Sequence, residues 1–593
     1  MPRFQKNMVS RSGLVRLLLL AACLLLVYRY NRARPGISDP KLADPVHDTD
    51  RVSSENADTT NNDDWEDDIT AEFLDSQDRA SYRCGEYVDY LRKRHLPLSK
   101  GHHQFPYMRP PRKCRTFTSL ALETLVTDLK RKMQDPDLAR LMENCLPNTL
   151  DTTILWHLPT SARGLPLPET FVVTGDIHAE WLRDLARQLL VFQPLVKYDD
   201  KLKVLIKGAI RTQMQYIITA PYCNAFHPPA RSGVRKGDSA RDKVFPLPDW
   251  RRVFECKYEI DSLASFLTLT NEFLENLDHD LSVITTTWMK AYEKILAVLQ
   301  RESRPLFDPQ TGHAQPFFYL FQRDTNIGSE TLPLGGVGNP VNYDTGLVRS
   351  AFRPLDDATI LQFFVPGNAH MLSELKLIVA NVFDRIEQTQ ETTRLLEVTQ
   401  QFINDIELGL REHAIVKHPK WGDVYAYEVD GYGGALFMDD ANIPSLLSLP
   451  ETGLLSKDDP VYQNTRKMVL SKDGNPYYLK GPFFEGIGGP HIGIRNAWPM
   501  SLLMRIRTTD DDAEILDSLK HVMDTTAGLG LMHESVNVGS RGGNDYTRPW
   551  FAWCNSEFGK TILHLAVHKP HLIFKKEYAE TAYDIDALFS ELL

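Results

Sequence analysis

From about Thr116 to the C-terminus, apolar residues recur at helical rather than strand spacing. A chain patterned this way over so long a stretch has to bury helix faces against helix faces. Leu122, Leu125, Val126, Leu129 and Met133 mark one such face. Trp181, Leu182, Leu185, Leu189 and Leu190 mark a second, and Leu202, Leu205, Ala209, Met214 and Ile217 a third. The same spacing predicts helices near 260–276, 280–300, 356–365, 368–388, 392–410, 511–524, 556–567 and 580–592. Long alternating runs are scarce, strands do not alternate with helices, and no short repeat stands out, so the expected fold class is all-α. Helices alone leave a bundle, a solenoid and a toroid open. The connections between them are long and rich in Trp, Tyr, Gly, Asn and acids, a composition wrong for disorder, and long ordered loops in a compact domain carry function.

The first eighty residues read differently. Arg3, Lys6, Arg11 and Arg16 lead into the apolar run Leu17–Tyr28, which Arg29, Arg32 and Arg34 follow. Counted from Leu14, with Arg16 reaching the interface along its aliphatic stem, the run makes a short spanning helix. A cleaved signal peptide competes, but no small-x-small cleavage site follows Tyr28. The expectation is a short cytoplasmic tail over 1–13, a signal anchor over 14–28, an acidic disordered stem over 29–81 and a folded domain over 82–593. A type II anchor of that kind places the domain in the lumen of the secretory pathway, the Golgi included, although the chain contains no Asn-x-Ser/Thr sequon. A net charge of −11 excludes a non-specific nucleic-acid binder. Among the seven cysteines, Cys84, Cys114 and Cys145 lie close enough in sequence to include a disulfide, and no Cys/His cluster suits zinc.

Two acidic elements stand out. In Ala351–Ala358, the pair Asp356-Asp357 follows Arg353-Pro354 and precedes an apolar run, where a helix is expected to begin. Capping accounts for one of these carboxylates, and unpaired carboxylates do not belong in a core. The second element is His533-Glu534, near the C-terminus. Between and around them lie segments in which aromatics alternate with acids and amides. Asp176, Trp181, Arg183 and Asp184 crowd one helix start, and Asn224, Glu259 and Asp261 follow. Further along come Tyr427, Asp430, Asp439, Asp440, His491, Trp498, Arg548 and Trp553. Aromatic faces stack on the apolar side of a pyranose, while carboxylates and amides take its hydroxyls. Plainer explanations compete: Arg183–Asp184 as a surface ion pair, Trp181 as core, and Glu259 or Asp261 as a helix cap. Asp439 and Asp440 are ligand types for a divalent cation, but no loop spacing supports a metal site. The Gly-rich stretch after Asp430 lacks the Lys-Ser/Thr of a phosphate loop, His533-Glu534 is not a His-Glu-x-x-His zinc motif, and Gly-x-Ser-x-Gly is absent.

The segments TGDIHAEWLRD, KYEIDSL, FRPLDDA, YAYEVDGYGG, MDDANIPSLLSL, GIGGPHIG with AWPM, LMHES and TRPWFAWCNS occur in this order. Together they resemble glycoside hydrolase family 125, the exo-α-1,6-mannosidases, and in particular its fungal membrane-anchored members. The resemblance spans roughly residues 115–570. It implies an (α/α)6 barrel and hydrolysis of terminal α-1,6-linked mannose with inversion, without a cofactor, on a mannose-containing oligosaccharide or glycoprotein glycan. It places the general acid in the Asp356-Asp357 pair and the general base at Glu534. The sequence departs from the family pattern at His178, Glu180 and Leu185 in the first motif, at Cys256 before the second, and at Gly367 and His370. A non-catalytic sugar-binding protein on the same toroid is the alternative from another class.

Overall fold

The structure, a computed structural model, describes residues 84–159, 168–240, 242–342, 344–354 and 356–590. The expected tail, anchor and nearly all of the stem fall outside these residues. Among the described residues no helix is long and apolar enough to cross a membrane.

The longer helices are α1 (Leu120–Lys132), α2 (Pro136–Cys145), α3 (Leu182–Leu190), α4 (Asp200–Thr219), α5 (Ile260–Glu275), α6 (Thr286–Glu302), α7 (Val365–Ile378), α8 (Gln390–Gly409), α9 (Pro460–Val469), α10 (Pro499–Arg507), α11 (Asp512–Asp524) and α12 (Ala552–His568). They are of two kinds. Every residue of α3 is buried, as are nearly all of α5, α7 and α10. In contrast, α8 buries a single stripe that includes Leu395, Phe402, Ile403 and Ile406. A helix covered on all sides is interior and one with a single stripe is peripheral. The interior helices pack in sequence, α3 on α5, α5 on α7 and α10 on α12, and α12 returns to α3. The peripheral ones lie outside them: α4 on α5, α8 on α7, α11 on α10 and α2 on α12. The last is buried on its outer side too, because the chain before α1 covers it, Arg140 and Asn144 donating to the Pro97 and Pro106 carbonyls. The result is a helix-rich toroid.

One interior position carries no long helix. Residues 438–449 are buried throughout, and their turn is held by Asp439, whose two carboxylate oxygens accept from the amides of Leu446 (2.8 Å) and Leu447 (3.0 Å). A short 3-10 turn, Leu449–Thr452, follows and packs on α7. Its Glu451 pairs with Arg507 of α10 at 2.9 Å and Lys560 of α12 at 3.1 Å, so charge closes the ring there.

The two kinds of helix also begin differently. Side chains cap the first turns of peripheral helices: Ser119, Asp135, Asp199, Thr285, Thr389, Asp459 and Asp511. The interior helices start at Trp181, Glu259, Phe364, Trp498 and Phe551, none of which makes a side-chain cap. Their first amides bond other segments instead: Leu182 to the Asn224 carbonyl (3.0 Å), Ile260 to the Ser350 hydroxyl (3.0 Å), Val365 to the Tyr427 carbonyl (3.0 Å) and Ala552 to the Thr174 carbonyl (3.1 Å).

Several expectations need correction. The loops contain two- and three-stranded antiparallel sheets, so the domain is not purely helical. These strands are two to five residues long, too short to show an alternating pattern. No helix begins at Asp356; α7 starts at Val365, with Pro366 in its first turn. The expected C-terminal helix begins only at Ile585 and is described as far as Ser590. Helices α2, α9 and α10, of nine or ten residues, were missed, although each opens on a proline (Pro136, Pro460, Pro499), a usable start signal. Cys84 pairs with Cys114, while Cys145 stays free and buried; a second disulfide, Cys223–Cys256, was not foreseen.

Candidate active site

Short strands directly before the interior helices fix the loops around one pocket. Glu180–Trp181 pairs with Ala225–Phe226, which pairs in turn with Val253–Glu255. Asn496–Ala497 pairs with Val536–Asn537, which sets Glu534 beside Trp498. The pocket opens between the N-terminal ends of α3, α10 and α12. Trp181, Trp498 and Trp553 form its aromatic walls, and Arg183, Asp184, Asp356, His491, Glu534 and Arg548 its polar lining. All nine were expected from sequence. Thr174, Pro354, Asn442 and Phe551 line it too and were missed. All four stood inside quoted motifs: Asn442 was passed over for its charged neighbours and Phe551 for the tryptophans beside it, while Thr174 and Pro354 carry little residue-type signal for a sugar site.

The lining holds polar atoms that the protein itself does not hydrogen-bond. Arg183 Nε and Trp498 Nε1 are donors of this kind, and Asp184 Oδ1 and Asn442 Oδ1 are acceptors. Arg183 Nε and Asp184 Oδ1 face each other as an ion pair at 3.7 Å, too long for a hydrogen bond, so a wall with donors and acceptors of both kinds short of hydrogen bonds suits a polyhydroxyl ligand. Burial raises the Asp184 carboxyl to about 6 against the pull of Arg183.

Glu534 is held from both oxygens. Thr547 Oγ1 donates to Oε2 at 2.7 Å, and Arg548 Nε lies 3.2 Å from Oε1. Arg548 is itself anchored by Asp176 at the rim, 3.2 Å away. His533 stacks on Tyr546 with ring centroids 3.9 Å apart and donates from Nδ1 to the Arg548 carbonyl at 2.9 Å. Burial lowers its pKa to about 4, so it is neutral and positions Arg548 rather than lining the pocket.

The adjacent aspartates part company. Asp356 adopts a left-handed backbone, φ 62°, a conformation aspartate tolerates better than most residues. Its amide donates to the Arg353 carbonyl at 3.0 Å, and the Arg353 amide donates to the Asp357 carbonyl at 2.8 Å. This tight turn delivers Asp356 into the pocket. Asp357 is fully buried away from it, accepting from the His491 amide at 3.0 Å. The carboxylate pair is therefore not a helix cap, and the two side chains do not share one site.

Behind Asp356 lies a charged layer. Arg183 Nη1 bonds Glu259 (2.5 Å) and Asp261 (3.2 Å), both buried. Asn224 Nδ2 reaches Asp356 Oδ1 at 3.4 Å. Lys257, absent from the expected site, pairs with Glu255 at 3.3 Å. Burial opposes ionisation of Asp356, but Lys257, Arg183 and His491 outweigh it and hold its pKa below the usual range. The disulfide Cys223–Cys256 joins the residues immediately before Asn224 and Lys257.

The remaining expected contacts lie outside the lining, for identifiable reasons. Arg353 is buried in a 2.5 Å pair with Glu428, its guanidinium over the buried Tyr427 ring. Asp430 caps its own turn, accepting from Tyr432 and Gly434 amides at 2.8 Å. Asp439 holds the 445–447 turn, and Asp440, also buried, accepts from the Asn442 amide at 3.1 Å. Among the described residues no group of three or more His, Cys, Asp or Glu side chains is arranged to hold a metal ion.

The family model for metal-independent alpha-mannosidases (GH125) matches residues 135–563. The meiotically up-regulated gene 157 protein of Schizosaccharomyces pombe is 51% identical over 493 residues, covering 83% of this chain and 94% of that protein. Among solved structures, a metal-independent alpha-mannosidase from Streptococcus pneumoniae, in a non-productive substrate complex with alpha-1,6-mannobiose, superposes with a TM-score of 0.66 at 30% identity. It covers 76% of this chain and 98% of its own.

Proposed function

Because the chain belongs to the metal-independent alpha-mannosidases of family GH125, we propose that it is an inverting exo-glycosidase. On this reading an (α/α)6 barrel removes terminal α-1,6-linked mannose from mannosylated glycans. The observation that carries the proposal is that Asp356 and Glu534, drawn from distant parts of the chain, line the same aromatic-walled pocket. Inversion needs one carboxylic acid at the leaving oxygen and one carboxylate activating a water on the opposite face of the ring. Arg548 and Thr547 suit Glu534 to the second role, since both donors favour a carboxylate. Asp356, open to the pocket where Asp357 is not, takes the first. Trp181, Trp498 and Trp553 stack on the sugar, and Arg183, Asp184 and Asn442 take its hydroxyls. The mannobiose in the Streptococcus pneumoniae relative supports the linkage.

The same reading has a type II anchor at 14–28 hold the domain in the secretory lumen. Two disulfides, Cys84–Cys114 and Cys223–Cys256, support an oxidising compartment. The test is proton NMR of the sugar released from an α-1,6-mannobioside, with Glu534→Gln alongside. β-Mannose appearing first, and its loss in the variant, is the expected result; α-mannose appearing first would overturn inversion.

A further inference from the structure

The Asn224 amide exposes a hydrogen-bond problem beneath Asp356. Its orientation is fixed, because Oδ1 accepts from the Lys257 amide at 3.0 Å. That leaves two hydrogens on Nδ2, which faces three carboxylate oxygens: Glu255 Oε2 at 3.2 Å, Glu259 Oε1 at 3.2 Å and Asp356 Oδ1 at 3.4 Å. Two hydrogens cannot serve three acceptors. Lys257 at 3.3 Å and Arg323 at 2.7 Å both meet the other oxygen of Glu255, Oε1, and offset its charge, but they leave Oε2 to Asn224. The longest of the three contacts is the one to Asp356, so the oxygen left short of a donor is Asp356 Oδ1, beside Glu259. Charge gives the same answer. Asp184, Asp261, Glu259 and Asp356 gather around one guanidinium, Arg183, with Lys257 behind and His491 across the pocket. Like charges this close in a water-poor site do not all ionise.

We infer that Glu259 holds a proton hydrogen-bonded to Asp356, and that this buried pair, rather than Asp356 with its sequence neighbour Asp357, is the acid unit of the enzyme. The inference rests on the proposed mannosidase activity and adds a positioning residue that touches no substrate. Glu259 is only 1% exposed and outside the pocket lining. In this pair Asp356 is the acceptor; burial first, opposed by Arg183 and aided by the nearby Asp261 and Asp356 charges, pushes the Glu259 pKa well up. When a mannoside displaces water from the pocket, the proton passes from Glu259 to Asp356, forming the Asp356 O–H bond and leaving a Glu259 carboxylate. That carboxylate is met by Arg183 Nη1 at 2.5 Å and the Ser262 hydroxyl at 2.6 Å. Asp356 then gives the proton to the glycosidic oxygen as the C–O bond breaks with its electron pair on the leaving sugar, and Glu534 takes one proton from the attacking water. One proton leaves the pair, one enters Glu534, and exchange with solvent restores both.

Glu259→Gln keeps a donor toward Asp356 but has no proton to release. The expected result is a loss of about a hundredfold or more in kcat on α-1,6-mannobiose, the usual scale of general-acid assistance. On α-mannosyl fluoride, whose leaving group needs little protonation, the loss should stay within about threefold. The basic limb of the kcat/KM pH profile, set by the pair's proton, should move to lower pH. Equal losses on both substrates, or no loss on either, would overturn the inference. An infrared difference spectrum reads the proton without turnover: one carbonyl stretch of a protonated carboxylic acid, distinct from any that Asp184→Asn removes, should be lost in Glu259→Gln and persist in Glu255→Gln. If wild-type protein cleaved no mannoside yet showed that band, the activity proposal would fail while the proton's place stood. With no such band, the pair itself is refuted.

Discussion

Glu428→Gln isolates what holds the Asp356 loop in place. In the structure Glu428 is fully buried and neutralises Arg353, which is 1% exposed, through a 2.5 Å bond to Nε. Its other oxygen accepts from the amides of Ile360 and Leu361, both at 2.9 Å. One carboxylate thus pins the loop at Arg353, before Asp356, and again at Ile360 and Leu361, after it. Glutamine keeps the size and one acceptor but leaves the Arg353 charge buried without a partner. Removing one member of a buried pair costs about 3–5 kcal/mol. At about 1.4 kcal/mol per tenfold, hydrogen-exchange protection of the Ile360 and Leu361 amides should fall between about a hundredfold and a few thousandfold. Replacing both partners, Arg353→Met with Glu428→Gln, should recover much of that loss, because the penalty belongs to the unpaired charge. Activity in the single variant should fall chiefly in kcat, since neither residue lines the pocket. Unchanged protection at both amides, or a double variant no better than the single one, would refute the reasoning.

Asp356→Asn should cost about 10²–10⁴ in kcat on α-1,6-mannobiose, whereas Asp357→Asn, which keeps an acceptor for the His491 amide, should cost at least tenfold less; NMR of released mannose measures both. Replacing Cys223 and Cys256 together by Ala should destabilise the domain by about 2–4 kcal/mol in chemical denaturation, and lower kcat more than it raises KM, because the bridge flanks Asn224 and Lys257. Asp184 gives a pH signature. With its pKa raised from 3.8 to about 6 in the folded protein, the native state binds more protons than the unfolded chain between those values, so stability is full below 3.8 and falls as pH rises to about 6. A shift of roughly two units is worth about 3 kcal/mol, and Asp184→Asn should flatten that part of the stability profile.

Most of the pocket was legible because sugar recognition draws on few residue types, and Trp, Arg and carboxylates clustered near helix starts announce themselves. Trp181, Arg183 and Asp184 were readable in that way. What stayed hidden was which acids turn inward. Asp439 and Asp430 share the composition of binding residues, yet each spends its oxygens on backbone amides of its own turn. Lys257 carried no signal, since a lone lysine beside an acid reads as surface.

The sequence by itself determined most of the helical body and the family: periodicity commits a segment to a helix with a face to bury, and the ordered motifs carry the resemblance. Only the tertiary structure decided that Asp356 lines one pocket with Glu534 while Asp357 does not, and that Glu259 lies behind Asp356. Those choices depend on one left-handed residue, one buried ion pair and the register of strands two or three residues long. Each is set by contacts between segments tens to hundreds of residues apart, which local spacing does not encode.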